Sequence, residues 1–550
     1  MRTQASRPVV APALFAASTL LLLFASVGAP SAETAQGGGS AASARPCPSP
    51  TVSRGGQCVL TKDERLDKTL RLASDTKLNC QGRKLTPRTT GSGLAARSAP
   101  EVAIFLNGVR NVQIQNCVID GFDFGVFAIK SKVTAAVRGN PGELARRRNR
   151  ILQNTVNARF LAISLATVDN TEIKDNTIRY TTAGGKGIYV GRDSDLNRVS
   201  NNTITGDIAS AASQAVAAPG PAIPSPNPST PSSNPAVNAG QAVLVTQTLG
   251  PDPTLLNAII EGELHQLPVA NSTTVNAADF SEDNLVEGNT VSFTQTPFDG
   301  IATAVALRTT VRGNTVRNPL IAIRAGIQSG AENVGLPKRF PGGCAAPAAG
   351  RLCFDNADCN LLGTAGSACN SPAPTTVGVF WVSDGFVVEG NTIVGPFNAG
   401  VASTALNTII RGNTITGPLR PTGGAGGVLL ITKFGLGPTT VVTRNVVSEV
   451  AVALFLNNKQ APDLAASDFG ARVSLNDFTG YTTSVRSDIA ATLSASGQGN
   501  FWGLPCPPGF DPAKVARAGG LPAGAVLTDE HPYGVSVAGT PAGSLPQPCR

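Results

Sequence analysis

The chain is short of the residues that most often carry metal and proton-transfer chemistry. Its 550 residues include two histidines, His265 and His531, one methionine and two tryptophans. Aromatic residues make up 5% and charged residues 15%, against a hydrophobic share of 41%. That balance excludes a highly charged disordered chain. The net charge of +8 is thin over this length and carries no nucleic-acid signature. Glycine and proline are plentiful, 59 and 40, but show no Gly-x-y period, which excludes collagen. Beyond an N-terminal apolar run, no long stretch has a helical period.

Arg2 and Arg7 precede that run, Val9 to Val27, and small residues follow at Gly28, Ala29, Ser31 and Ala32. This order predicts an export signal over residues 1–32 and a flexible leader over 33–46. No other stretch is long and apolar enough to span a membrane. The mature chain is therefore expected to be secreted, periplasmic or cell-surface. Its ten cysteines fall into three groups. Cys47, Cys58, Cys80 and Cys117 lie near the start, Cys344, Cys353, Cys359 and Cys369 in one loop-like segment, and Cys506 and Cys549 near the end. In an exported chain this predicts disulfides, with several connectivities open. A metal site on the second group would lack a close Cys-x-x-Cys pair or a nearby histidine.

What the chain has in quantity is a repeat. Asparagine ahead of a short β-prone run recurs at Asn116, Asn154, Asn176, Asn202, Asn289, Asn314, Asn391, Asn413, Asn445, Asn476 and Asn500, most often as Asn-Thr-Val or Asn-Thr-Ile. The spacings are 38, 22, 26, 87, 25, 77, 22, 32, 31 and 24. The shortest cluster at 22–26, and the longest fit one unit plus an insertion or several degraded units. Short runs of Val, Ile, Leu and Thr between Gly, Asn and Asp predict strands and turns. Such a unit with two or three strands reads as one coil of a parallel β-helix. Strands of successive coils then stack about 4.8 Å apart. Inward aliphatics form a narrow core, and the asparagines, at corners that tolerate left-handed backbone, bond amide to amide in a ladder. An antiparallel sandwich does not produce so regular a repeat, and the Leu-x-x-Leu-x-Leu frame of a leucine-rich solenoid is absent.

Several phrases carry a family likeness. Leu78-Asn79-Cys80-Gln81-Gly82 is followed by Asn111-Val112-Gln113-Ile114-Gln115-Asn116 and Ile119-Asp120-Gly121-Phe122. Asn500-Phe501-Trp502-Gly503 and Glu530-His531-Pro532-Tyr533 stand near the end. Together they resemble the secreted right-handed parallel β-helix proteins of the pectate-lyase-like superfamily, above all the group of the periplasmic copper-maturation protein of nitrous oxide reductase. The resemblance spans about residues 55–535, minus insertions, and Asn79 stands where the family more often has Asp. It implies an all-β fold, a single right-handed parallel β-helix with capped ends and inserted loops. It implies little about activity, because one scaffold supports many. Copper handling needs more His or Met than this chain has, so that role is not carried over.

On this reading residues 47–100 form the N-terminal cap and first coils, and 101–206, 241–329 and 376–503 form further coils. Residues 207–240 are a Pro/Ser/Ala-rich insertion, 330–375 a cysteine-rich insertion and 504–550 the C-terminal cap. One or two irregular coils are expected within 241–288. Trp502 and Tyr533 are expected to pack on the last coil.

The densest charge feature is Lys130, Lys132, Arg138, Arg146, Arg147, Arg148, Arg150 and Arg159, with Glu143 the one acid among them. It falls in the 38-residue spacing, so a projecting loop is expected. Arg146, Arg147 and Arg148 are candidate contacts for an acidic glycan. Asp120, Asp123, Lys130 and Lys132 offer the groups that polysaccharide elimination needs, a base and a cation for the uronate. The Asn-Thr-Asp, Asp-Asp and His-Gly set of β-helical polygalacturonases and the Asp-Pro-His motif of alginate epimerases are absent. Asp355, Asn356 and Asp358 carry oxygen ligands suited to calcium but complete no calcium loop, so no metal site or other cofactor is predicted. Two functions remain. One is a monomeric, non-catalytic scaffold that binds a polysaccharide or cell-surface glycan. The other is a lyase, epimerase or hydrolase acting on an acidic glycan.

Overall fold

The computed structural model describes residues 46–88, 102–207, 241–246, 281–327, 342–343, 352–353, 385–431, 440–457, 471–506 and 527–549, apart from short gaps within these ranges. The expected signal and leader up to residue 45 lie outside them, as do most of both insertions, His265, the Asp355–Asp358 group, and the pairing of the second cysteine group.

The body is a right-handed parallel β-helix. Strands of three to six residues recur in the same order in each coil and stack on three faces. One face is a 13-stranded sheet that runs from Val52–Arg54 to Arg472–Ser474. Its pairings are parallel except for the terminal hairpin, Val52–Arg54 against Gln57–Val59. The other two faces stack through pairs such as Thr290–Phe293 on Thr315–Arg317 and Asp299–Ala304 on Ile321–Ile327. Two long strands, Val118–Ser131 and Thr155–Val168, bend from one of these faces into the other through register shifts near Asn157 and Ala158.

Alternation explains the packing. In Thr310-Val311-Arg312 the middle side chain points inward and its neighbours outward. The inward positions form columns: Ile173, Val199, Val286, Val311, Val388 and Ile410 on the 13-stranded sheet, and Ile178, Ile204, Val291, Val316, Ile393 and Ile415 on the next face. All are buried. β-Branched side chains suit these sites because they fill a narrow pleated interior with little rotamer loss.

The asparagines at the corner form one continuous buried stack. Asn154 donates its backbone N–H and its side-chain amide to Oδ1 of Asn176, at 2.9 and 3.0 Å. The same double bond repeats through Asn202, Asn289, Asn314, Asn391, Asn413, Asn445, Asn476 and Asn500. Each amide also reaches a carbonyl of the preceding coil, as Asn391 Nδ2 does to Val311 O at 3.0 Å. These buried amides are thus satisfied along the whole height of the stack.

Three expectations need correction. Asn116 is not in the stack. Thr155 pairs with Val118, so Cys117 occupies the stacking position and gives its N–H to Asn154 Oδ1 at 3.0 Å. Asn116 sits one place earlier, and its amide reaches Asn79 Oδ1 at 3.3 Å. The left-handed backbone likewise belongs to the residue before the stacked asparagine: Gln153, Asp175, Asn201, Gly288, Gly313, Gly390, Gly412, Arg444 and Leu475 all have positive φ. Finally, Asn202 bonds directly to Asn289, so no coil is inserted between them in the stack. The strand Gln241–Thr246 completes the coil that Asn202 begins, paired with Lys186–Gly191 and Asp299–Ala304.

Both ends are covered. Cys47–Cys58 and Cys80–Cys117 staple the first coils, and Cys506–Cys549 closes the C-terminal segment. Trp502 is buried and stacks on Phe478 with ring centroids 4.6 Å apart. Tyr533 is buried beside Leu475 and Val537. Among the described residues no helix is long and apolar enough to cross a membrane.

Candidate functional site

The basic segment expected to project is a loop with two short helices, α1 (Ala135–Arg138) and α2 (Pro141–Arg147). Lys132, Arg138, Arg150 and Arg159 turn toward acids of the body, while Arg146 and Arg147 pair within the loop. Lys132 Nζ lies 2.8 Å from Asp169 and 3.3 Å from Asp195, and Arg138 bonds to the same two carboxylates. Asp169 and Asp195 are buried and stand on successive coils, Asp195 N–H donating to Asp169 Oδ1. Arg146 and Arg147 both pair with Glu143, and Arg148 Nε donates to Asn170 Oδ1 at 3.1 Å. Arg159 pairs with the buried Asp123, and Arg150 faces Glu172 at 3.8 Å.

The residues singled out for elimination chemistry are therefore divided among separate partners. Asp120 pairs with Lys84 at 2.5 Å, Asp123 with Arg159, and Lys132 with Asp169 and Asp195. Lys130 takes a left-handed backbone position. These contacts anchor the loop and the bent strands, and they bring no base and cation together around an open space.

An open space exists elsewhere. A groove of about 370 Å³ crosses successive coils and is lined by Asn201, Glu287, Gly288, Arg312, Gly313, Glu389 and Gly390. Its walls come from one sequence phrase, Glu287-Gly288-Asn289-Thr290, Arg312-Gly313-Asn314-Thr315 and Glu389-Gly390-Asn391-Thr392, which the next coil repeats beyond the groove as Arg411-Gly412-Asn413-Thr414. The stacked asparagine fixes the register, so the charged residue two places before it projects from the outer face of the 13-stranded sheet at each coil. Along the chain these charges lie far apart, and only the stacking of the asparagines makes them neighbours.

The glycines keep the floor open. Gly288 has φ +62°, and a Cβ there would stand 2.4 Å from Asn201 Oδ1. Along the wall the charges close in pairs. Arg312 reaches Glu287 Oε2 through Nε at 2.8 Å and through its terminal nitrogen at 2.6 Å. Arg198, one coil earlier, contacts Glu287 as well. Arg411 donates to Glu389 at 2.9 Å. Burial works to raise the Glu287 carboxyl, but hydrogen bonds from Arg312 and Arg198 outweigh it and hold the group below the usual carboxylate range. Beside this charged column, on the same outer face, runs a half-buried aliphatic one: Leu285, Val387, Ile409 and Val441, with Thr310 among them.

Residues 84–215 match the model of a family described as periplasmic copper-binding protein (NosD). A search of curated proteins returns no match. Among solved structures, a mutant tailspike protein of E. coli bacteriophage HK620 in complex with a pentasaccharide matches at 10% identity and TM-score 0.34, covering 83% of this chain and 67% of that one. Another mutant of that tailspike, with a hexasaccharide, matches at 10% identity and TM-score 0.33, covering 80% and 68%. The tailspike of Pseudomonas phage phi297 matches at 10% identity and TM-score 0.26, covering 72% of this chain and 47% of its own.

The family description names copper, and the described residues do not fit it. Copper sites draw on imidazole, thiolate and thioether. The described cysteines include none that is free, His531 is the sole described histidine, and no cluster of three or more His, Cys, Asp or Glu suited to a metal occurs among the described residues. The chain is a right-handed parallel β-helix, similar over residues 84–215 to the NosD family.

Proposed function

We propose that this exported β-helix recognises a glycan in the groove formed by Glu287, Arg312 and Glu389. The single observation that carries the reading is the repeat of Glu/Arg-Gly-Asn-Thr on four successive coils, three of which set polar walls and a glycine floor for the groove at a regular pitch. That pitch, about 4.8 Å, is close to the length of one hexopyranose unit. The aliphatic column supplies the apolar surface that the C–H face of a sugar ring packs on, and Arg and Glu supply paired donors and acceptors for its hydroxyls. The three described disulfides suit an oxidising compartment, in keeping with a secreted or surface-associated chain.

Cleavage is the second reading, and one observation favours it. Glu287 and Glu389 occupy the same column two coils apart, so their backbones stand about 9.6 Å from each other. Side chains leaning toward each other across that step would bring the carboxyl groups within the roughly 6.5–9.5 Å that inverting glycosidases use. Recognition stands first because Glu287, held ionised by two arginines, is a poor proton donor. A glycan array read for retention, with product formation read separately on every retained glycan, decides. Retention lost on Arg312→Ala supports the groove. Absence of retention on the whole array overturns the proposal.

A further inference from the structure

The pairing of charges in the groove bears on which glycans it admits. Three arginines line or flank it, Arg198, Arg312 and Arg411, and each is already in contact with a glutamate. Glu287 holds two of them and Glu389 the third. The arginines are about half exposed, at 49%, 51% and 50%, so their remaining N–H groups face solvent. Glu389 is 38% exposed and Glu287 13%.

Consider a uronate entering this wall. Its carboxylate needs an arginine, and each arginine along the groove already neutralises a glutamate, so the uronate has to share that charge. Taking Arg312 or Arg198 weakens the hold on Glu287, which is mostly withdrawn from water, and places two like charges side by side. Taking Arg411 does the same to Glu389. Like-charge juxtaposition is how binding surfaces reject a wrong partner. An uncharged sugar makes no such demand. Guanidinium has five N–H donors in a fixed fork, and a carboxylate has about four lone-pair sites. Each pair can keep its internal bonds and still offer a donor and an acceptor to a hydroxyl. Such hydrogen bonds are charge-assisted and stronger than neutral ones. The neighbouring column of Leu285, Val387, Ile409 and Val441 also suits a ligand with an apolar ring face.

We infer that the groove selects uncharged glycans and excludes uronate-bearing ones, with Glu287 and Glu389 as the residues that enforce the exclusion. This rests on the glycan-recognition reading above and narrows it. The part of the basic segment made by Lys132, Arg138 and Arg159 is likewise matched by buried acids.

The test pairs each acidic polysaccharide with its own carboxyl-reduced form, which keeps linkage and backbone and loses the charge. Retention of full-length protein is measured on immobilised pairs, beside neutral polysaccharides, for wild type, Glu389→Gln and Glu287→Gln. Wild type is expected to retain neutral or reduced forms at least tenfold better than acidic parents. Glu389→Gln is expected to close that gap tenfold by freeing Arg411. That pair is partly exposed and outside the core, so the variant should fold, which its melting temperature checks. Glu287→Gln is expected to act in the same direction by freeing Arg198 and Arg312. Wild-type retention of acidic parents equal to or above their reduced forms overturns the charge inference and leaves glycan recognition standing. An unchanged gap in a folded Glu389→Gln overturns the role of that residue. No retention of any form overturns the recognition reading itself.

Discussion

Asn500 donates both its backbone N–H and its side-chain amide to Oδ2 of Asp529, at 2.9 and 3.0 Å. The asparagine stack has a direction: every member donates toward the C-terminus and accepts from the N-terminal side. The last amide needs a group that accepts and has no further partner to serve. Asp529 is that group, and Trp502 Nε1 adds a third donor to the same oxygen at 2.9 Å. Asp529→Ala strands three buried donors in the C-terminal cap. At about 1–3 kcal/mol for each buried donor left unsatisfied, the loss should exceed about 3 kcal/mol in urea unfolding. A loss under about 1 kcal/mol would show that the cap is held by Phe478–Trp502 packing and the Cys506–Cys549 bridge alone.

The same carboxyl sets a pH dependence. Burial raises Asp529 above the ordinary aspartate range, against the opposing pull of bonds from Asn500, Trp502 and His531. The folded state then keeps a proton that the unfolded chain releases. The contribution is complete below the unfolded value, about 3.9, and is lost as pH rises through the raised folded value. Glu282 is raised in the same way by burial, so single curves mix the two. The difference in unfolding free energy between wild type and Asp529→Asn, measured from pH 3 to pH 7, isolates one group. It should fall as pH rises. A difference that grows with pH would mean that Asp529 ionises more readily in the fold than in the free chain.

Within the stack, Asn391 shows what a middle rung carries. Its Oδ1 takes two bonds from Asn314, and its amide donates to Asn413 and to Val311 O. Asn391→Ala leaves buried donors on the coil below and a buried acceptor above, so about 2–4 kcal/mol of stability should go. Asn116→Ala, in the same sequence phrase but outside the stack, loses one half-exposed amide bond and puts alanine at a left-handed position, so it should cost only about 1 kcal/mol. Denaturant midpoints of the two variants compare them directly. Equal losses would remove the distinction between stacked and unstacked asparagines.

That distinction marks the limit of what could be read from the chain. The period, the parallel coils and the aliphatic columns were legible, because a 22–26-residue repeat of short strands has few ways to bury its apolar face. The register at Asn116-Cys117 was not, because asparagine suits both the stack and the left-handed position before it, and only the pairing of Val118 with Thr155 separates them. A second buried polar column, with Asn149, Thr171, Asn197, Asn284 and Thr309 five residues ahead of the stack, went unseen. Its members vary in type, so no single phrase announces it. The groove escaped notice for a related reason. Glu287, Arg312, Glu389 and Arg411 are ordinary surface charges along the chain and become a wall only once one-coil steps of 25, 77 and 22 residues are recognised as equal. The basic cluster around Arg146 misled in the opposite sense. Along the sequence it has one acid, while in space Asp123, Asp169 and Asp195 reach it from other coils.

Cys117 offers a direct test of the stack as a device that can be lengthened. It holds the stacking position, gives its N–H to Asn154 Oδ1, and is tied to Cys80 by a disulfide. Replacing both cysteines with alanine should cost about 2–4 kcal/mol, the usual range for a bridge closing a loop of this kind. In Cys80→Ala/Cys117→Asn, the new amide lies where register puts it under Asn154 Oδ1 and beside the carbonyl of Leu78, which pairs with Ile114 as Ile114 pairs with Ile151. Asn154 already makes the matching bond to Ile114 O at 3.1 Å. The asparagine variant should therefore recover about 1–2 kcal/mol over the double alanine, read as a rise in urea midpoint. If the two variants unfold together, the stack owes its stability to the strands that frame it, and the amides merely fill the corner.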